Sequence, residues 1–355
     1  MNPTKVLIVD DSAVVRKLIA DGLQTEPDIQ VVGGAADAFV ARDMLLKHEP
    51  DVMTLDIEMP RMDGLSFLAR VMEHRPMPVI IVSSITQAGS AANVEALRLG
   101  AIDVLTKPGG PQSVGELVSQ IKTRVRSVKA GAYRVRRAPA ASTPAIAPSS
   151  RMTSRASGAL VAVGASTGGT QAIEALLTRF PKEVPPIVIV QHMPAHFTKA
   201  FADRLDKVCA IKVMEAQGEE LLQPGTAYIA PGDHHMVVER TGVQLRTALR
   251  NDAPVHYQRP AVDVLFHSVA KLQGVARVGV ILTGMGQDGA DGLLALRKSG
   301  AETLAEDEQS CVVFGMPKEA IARGAATSVV TLLQMPAKVL EAVDRVSSRG
   351  RLGAA

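Results

Sequence analysis

The sequence predicts two α/β domains joined by a tether, on three observations. Between residues 5 and 107, five short apolar runs alternate with stretches of helical periodicity. Residues 126–157 lose all apolar period and become rich in Ala, Pro, Ser and Arg. From residue 159 the apolar runs resume. A chain of 355 residues holds enough apolar material for two cores. The domains expected are residues 1–125 and 158–347, with 126–157 as a flexible basic linker.

The strand candidates of the first domain are KVLIVD (5–10), VVGGA (31–35), VMTLD (52–56), VIIVSS (79–84) and DVLTK (103–107). Val14, Val15, Leu18, Ile19 and Leu23 recur at helical spacing, as do Val114, Leu117, Val118, Ile121 and Val125. Five such units imply a parallel, doubly wound sheet, which binds ligands beyond the carboxyl ends of its strands. The second domain opens with ALVAVGAS (159–166), a helix from about Thr170 to Phe180, and IVIVQH (187–192). MVVER and VQLR then read as a hairpin-rich insertion, before VGVILTGMGQDG (278–289) and a further helix. This predicts a second doubly wound α/β domain with a β-hairpin and a mostly parallel, mixed sheet.

Composition excludes several classes. Residues 127–157 hold six Lys or Arg and no acid, and removing them takes the formal net charge from +3 to −3. The basic excess therefore belongs to the linker, not to a binding face. Aromatics are 3% and Trp is absent, which leaves few platforms for bases, so no nucleic-acid partner is expected. No apolar run is long enough to span a bilayer, and the N-terminus lacks a signal-peptide pattern. The expectation is a cytoplasmic protein with no membrane insertion. Cys209 and Cys311 have no metal or redox spacing.

The first domain places acids at strand ends. Strand one ends in Asp10 and Asp11, and strand three in Asp56. Three neighbouring carboxylates suit a hard cation such as Mg²⁺. Strand four ends with the hydroxyl of Ser83, and strand five with Lys107. A cation, a lysine and a hydroxyl around one aspartate make it a candidate phosphoryl acceptor. With VDD, DIEMPRMDG, VSS and TKP in this order, residues 4–124 resemble a response-regulator receiver. The resemblance implies a flavodoxin-like (βα)5 fold and phosphorylation of Asp56 by a histidine kinase. It also implies Mg²⁺ held by Asp11, Asp56 and the backbone carbonyl of Glu58, with Asp10 close by. It departs at Val104, where many receivers carry an aromatic switch residue. A change in domain docking is then the more natural output.

Residues 164–168, Gly-Ala-Ser-Thr-Gly, close a strand and open a helix. They match a G-x-S-x-G nucleophile turn. They also approach a dinucleotide turn, but Ser166 stands where that pattern needs its second glycine. The local sequence favours a nucleophile. A nucleophilic serine needs a base and an orienting acid. His192 ends the strand after the Ser166 unit, so both face one crevice. His196 is the alternative base. His234 and His235 read as a solvated loop that lines the pocket at most, and His256 and His267 as surface or packing residues. Asp288 follows a third strand end in a glycine-rich turn, with the Met285 N–H as a candidate oxyanion donor. Asp288 also reads as a helix N-cap, and both roles are compatible. Asp233, Asp263 and Asp291 are weaker competitors. The chain order Ser, His, Asp excludes the α/β-hydrolase fold, not the chemistry.

With GASTGGT, QHMP, AYIAPGD, RPAVDVLFHSVA, LTGMGQDG and CVVFGMPKEA assembled, residues 158–335 resemble a chemotaxis protein-glutamate methylesterase of the CheB family. That resemblance marks Ser166, Thr167, His192, Met285 and Asp288 as active-site positions. It implies hydrolysis of glutamate methyl esters on chemoreceptors, possible deamidation of receptor glutamines, and no cofactor for the esterase. The receiver in front is then expected to dock over the Ser166 crevice until Asp56 is phosphorylated. Two other readings stand beside it: a nucleotide-dependent oxidoreductase, and a non-catalytic response regulator whose second domain binds a partner.

Overall fold

The computed structural model describes residues 2–84, 87–107, 111–128, 158–195 and 197–352. They fall into two units divided between Pro139 and Ala140. Of the expected linker, residues 129–157 lie outside the described residues, as does His196.

In the first unit, strands β1 (Thr4–Val9), β2 (Ile29–Ala35), β3 (Val52–Leu55), β4 (Val79–Ser83) and β5 (Asp103–Thr106) form one parallel sheet, ordered β2-β1-β3-β4-β5. Helices α1 (Ala13–Gln24), α2 (Ala38–His48), α3 (Gly64–His74), α4 (Gln87–Leu99) and α5 (Pro111–Ser127) connect and follow the strands. Arg126 and Ser127, expected in the linker, belong to the last turn of α5. Ser12 starts α1 by accepting the Val15 N–H, and Asp63 starts α3 by accepting that of Ser66. Only Ile19 and Leu23 of the apolar set on α1 are buried; with Leu117, Ile121 and Val125 of α5 they pack over Val6 and Ile8. The strand order reverses between β1 and β3, so their carboxyl ends flank the crevice of a doubly wound sheet.

The second unit contains β6 (Ala159–Ala165), α6 (Gly169–Leu177), β7 (Ile187–Gln191), α7 (Phe197–Val208), β8 (Lys212–Glu215), β9 (Thr226–Ile229), β10 (His235–Thr241) and β11 (Gln244–Arg250). It continues with α8 (Val262–Ala270), β12 (Ala276–Ile281), α9 (Ala290–Lys298), β13 (Glu302–Glu306), α10 (Met316–Ala322), β14 (Ser328–Val330) and α11 (Met335–Leu352). Seven strands form one sheet, ordered β14-β13-β12-β6-β7-β9-β8. Every pairing in it is parallel, so this sheet is not mixed. The antiparallel pair, β10 with β11, forms a separate hairpin. All seven residues of β6 are buried, which is why its sequence is a continuous apolar run rather than an alternation. The chain moves outward from β6 through β7 on one side and through β12 on the other. The crevice at β6 and β12 is therefore where the second sheet offers a site.

Candidate active site

Ser166 follows β6 directly, and His192 follows β7. The His192 N–H donates to the Ala165 carbonyl (3.1 Å), and the Ser166 N–H to the Thr283 carbonyl (3.0 Å). Gln191, 4% exposed, donates through Nε2 to the carbonyls of both Ser166 (2.9 Å) and His192 (3.1 Å). Its single amide thus ties the two strand ends together. The turn after Ser166 needs Gly168, whose φ of +77° begins α6 and whose missing Cβ leaves room for Val312. Gly284 makes the approach from β12: a Cβ there would stand 2.8 Å from Ser166 Cβ.

Asp288 lies beyond β12 and is 2% exposed. Its Oδ2 is 2.7 Å from His192 Nε2 and accepts the Val262 N–H (2.7 Å), while Oδ1 accepts the Asp263 N–H (2.9 Å). The N-cap reading is therefore half right. Asp288 caps α8, which it does not precede, and makes no cap bond to its own helix α9, whose N-cap is Gly289. Burial works to raise the Asp288 carboxyl, but the His192 contact and the two backbone donors hold it below its ordinary range. As a carboxylate it only accepts, so the hydrogen between the two groups sits on His192 Nε2. His192 Nδ1 is then the bare nitrogen; it is buried and has no hydrogen-bond partner. The ring is presented in the opposite sense to triads in which Nδ1 faces the acid. Ser166 Oγ makes no hydrogen bond among the described residues, so Ser166 and His192 follow neighbouring strands without a hydrogen bond between their side chains.

Two further donors stand nearby. Thr167 Oγ1 is buried without a partner, while the Thr167 carbonyl accepts from Thr283 Oγ1 (2.9 Å). The Met285 N–H, next to Gly284, donates to no carbonyl among the described residues. The competitors fall elsewhere. Asp233 pairs with Arg259, and Asp291 with Arg323. His267 is exposed. His235 is not in a solvated loop: it is 0% exposed, its Nε2 meets the Ala253 carbonyl, and its Nδ1 accepts the Ala261 N–H. Asp263, a weaker competitor for the acid, and His256, read as a surface or packing residue, lie beside Asp288 and face each other at 3.2 Å. Neither cysteine forms a disulfide, and burial pushes the Cys209 thiol up to about 12.

In the first unit, Asp10, Asp11 and Asp56 each bring a carboxylate oxygen within 4.8 Å of the other two. Lys107 Nζ lies 2.7 Å from Asp56 Oδ2 and 2.9 Å from Asp10 Oδ2. Burial raises the Asp56 carboxyl and Asp10 adds to this, against the pull of Lys107 and the Glu58 N–H. Burial also opposes the Lys107 cation, but the two carboxylates prevail and push it above its ordinary value. Ser83 is buried at the end of β4, and its carbonyl accepts the Lys107 N–H (2.8 Å). Val104 is buried within β5. Arg16, which the sequence reading did not single out, donates to the Asp10 (2.6 Å) and Asp11 (3.0 Å) carbonyls and fixes the acidic loop.

Comparison with known proteins agrees with this division. A response regulator receiver domain model matches residues 6–122, and a CheB methylesterase model matches residues 161–339. A protein-glutamate methylesterase/protein-glutamine glutaminase of Syntrophus aciditrophicus is 50% identical over 94% of this chain and 97% of its own. One of Pseudomonas aeruginosa is 45% identical over 99% of this chain and 100% of its own. The crystal structure of the Thermotoga maritima CheB methylesterase catalytic domain matches with a TM-score of 0.51 and 40% identity, covering 52% of this chain and 98% of that one. Among the described residues no helix is long and apolar enough to cross a membrane. Matched at both units and along nearly its whole length, the chain belongs to the CheB methylesterase family, with a receiver domain ahead of the methylesterase domain.

Proposed function

We propose that this chain hydrolyses methyl esters of glutamate side chains on chemoreceptors, releasing methanol, and deamidates receptor glutamines by the same route. The observation that carries the reading is the His192–Asp288 contact, which leaves a bare Nδ1 in the crevice of Ser166. Ser166 Oγ attacks the ester carbonyl as His192 Nδ1 takes its proton. The carbonyl oxygen becomes an oxyanion, held by the Met285 N–H and Thr167 Oγ1. The tetrahedral centre collapses, the C–OCH₃ bond breaks, and His192 returns the proton to methoxide, giving methanol. Water then adds to the acyl-serine with His192 as base, and the acid is released as the proton returns to Ser166. An amide follows the same steps with ammonia leaving. Asp288 holds the Nε2–H and stabilises the imidazolium throughout.

The receiver regulates this activity through phosphorylation of Asp56 by a histidine kinase. The donor set of Asp10, Asp11 and Asp56 consists of carboxylate oxygens within reach of one point, and it fits Mg²⁺. Asp11, Asp56 and the Glu58 carbonyl would hold the ion, with Asp10 beside them; when bound it supplies positive charge to the phosphoryl oxygens. Lys107 places a second positive charge at Asp56, and Ser83 offers a hydroxyl at the end of the neighbouring strand. Phosphorylation relieves inhibition of the esterase by the receiver. Mass spectrometry of receptor peptides tests the chemistry. Glutamate methyl esters should revert to glutamate with the wild type and persist with Ser166→Ala; reversion with both removes Ser166 as nucleophile.

A further inference from the structure

Asp288 is not the only buried carboxylate where α8 meets α9. Asp263 is 4% exposed, and one side-chain nitrogen or oxygen from each of His256, Asp263 and Asp288 lies within 4.8 Å of the other two. The Asp263 N–H holds Asp288 Oδ1, and its own Oδ1 accepts the Gly292 N–H (2.7 Å). Its Oδ2 faces His256 Nε2 at 3.2 Å. On its other side, His256 Nδ1 lies 3.4 Å from Gln287 Nε2, and Gln287 Oε1 accepts from Arg323. His256 sits in a turn closed by paired Val255 and Gln258 backbone bonds, and both His256 and Tyr257 have positive φ (51° and 61°). Non-glycine residues rarely adopt that conformation twice in succession, so the turn is held by its surroundings, the His256–Asp263 contact among them.

A second histidine–carboxylate pair thus stands back to back with His192–Asp288. We propose that Asp263 and His256 are positioning residues for the ester hydrolysis: the Asp263 carboxylate adds its charge to that of Asp288 behind the His192 imidazolium, and His256 Nε2 holds that carboxylate in place through its Oδ2. The inference rests on the functional reading above. Burial and the charge of Asp288 push the Asp263 carboxyl up, against the Gly292 and Gly289 N–H groups. The His192 contact and the Val262 and Asp263 N–H groups hold Asp288 down, so the two acids are driven apart and Asp263 takes a proton before Asp288 as the pH falls. The charged groups facing Asp263 are His256 from the preceding turn, Asp288 and Asp291 from the start of α9, and Arg323 from the end of α10, with His192 beyond Asp288. Of these, His256 is the one whose ring nitrogen meets an oxygen of the Asp263 carboxylate directly.

The experiment is the pH dependence of kcat/KM for methanol release from methylated receptor membranes, using the full chain, Asp263→Asn, His256→Gln and the double variant. Asparagine keeps the backbone donor to Asp288 and an acceptor for Gly292, so a merely structural role leaves the profile in place. The account expects the acid limb of Asp263→Asn to move to lower pH by about half a unit or more, with KM unchanged. His256→Gln moves it the same way, and the double variant moves it no further than Asp263→Asn alone. An unmoved limb, or additive shifts, overturns the inference. If Asp263→Asn does not fold, His256→Gln, whose native side chain is 32% exposed, decides alone by the same criterion. A wild type that releases no methanol overturns the functional reading and this inference together.

Discussion

Asp288 and Asp263 cap each other's helices. Asp288, just before α9, accepts the first two N–H groups of α8; Asp263, in the first turn of α8, accepts the Gly292 N–H in the first turn of α9. A helix N-terminus favours a negative charge, so α8 holds Asp288 ionised and fixed while it faces His192. Asp288→Asn keeps an acceptor for α8 but turns an amide donor or a neutral oxygen toward His192, which takes away the preference for a bare Nδ1. The expected outcome is a loss of about 10³–10⁴-fold in kcat with the fold intact, read from steady-state ester hydrolysis and circular dichroism.

Gln191 bridges the Ser166 and His192 carbonyls with one buried amide. Gln191→Leu leaves both carbonyls without this donor. Melting should show a loss of about 1–3 kcal/mol, and kcat should fall by more than KM rises, because the two strand ends that carry Ser166 and His192 lose their shared tie.

Gly284→Ala puts a methyl group 2.8 Å from Ser166 Cβ. Labelling of Ser166 by a serine-directed phosphonate measures the result, and a fall of at least tenfold in rate is expected. Labelling at the wild-type rate would mean that Ser166 tolerates displacement.

Lys107 stands between two buried carboxylates. Lys107→Met leaves Asp10 and Asp56 buried without their cation, at a cost of about 3 kcal/mol near neutral pH. The Asp56 carboxyl is already raised by burial, and losing Lys107 raises it further. A raised carboxyl gives its full stability below its unfolded-state value and loses it as the pH climbs through the folded-state value. The gap in stability between wild type and variant should therefore be widest at neutral pH and close as the pH falls through the carboxylate range. Chelating Mg²⁺ should abolish stimulation by a small phosphodonor and leave the unstimulated esterase rate in place.

The acid sites and the Ser166 turn were legible because each lies at the end of an apolar run, where type and position can be read together. Strand adjacency then brings Asp10 to Asp56, and Ser166 to His192. What escaped the sequence depends on contacts between distant segments. His256 is the surface residue its sequence suggests, but its contact with Asp263 exists only once the turn before α8 folds back. His235 reads as part of a solvated GDHH loop, yet its ring is buried because both its nitrogens serve backbone groups of the segment leading into α8. Gln191 carries no motif of its own; its role exists only once β6 and β7 lie side by side. The sense of the His192 ring follows from which nitrogen Asp288 meets, and no spacing encodes that. A mixed sheet is the expectation when the hairpin strands are counted with the others, whereas they form a sheet of their own, and β11 reaches outside it through an antiparallel bridge from Arg246 to Leu221.

The most direct test of the central claim is methanol release from methylated chemoreceptor membranes by the wild type and Ser166→Ala, each with and without Mg²⁺ and a small phosphodonor. The account predicts release by the wild type, a higher rate with the phosphodonor, and none from the variant. Equal release by both proteins would contradict it.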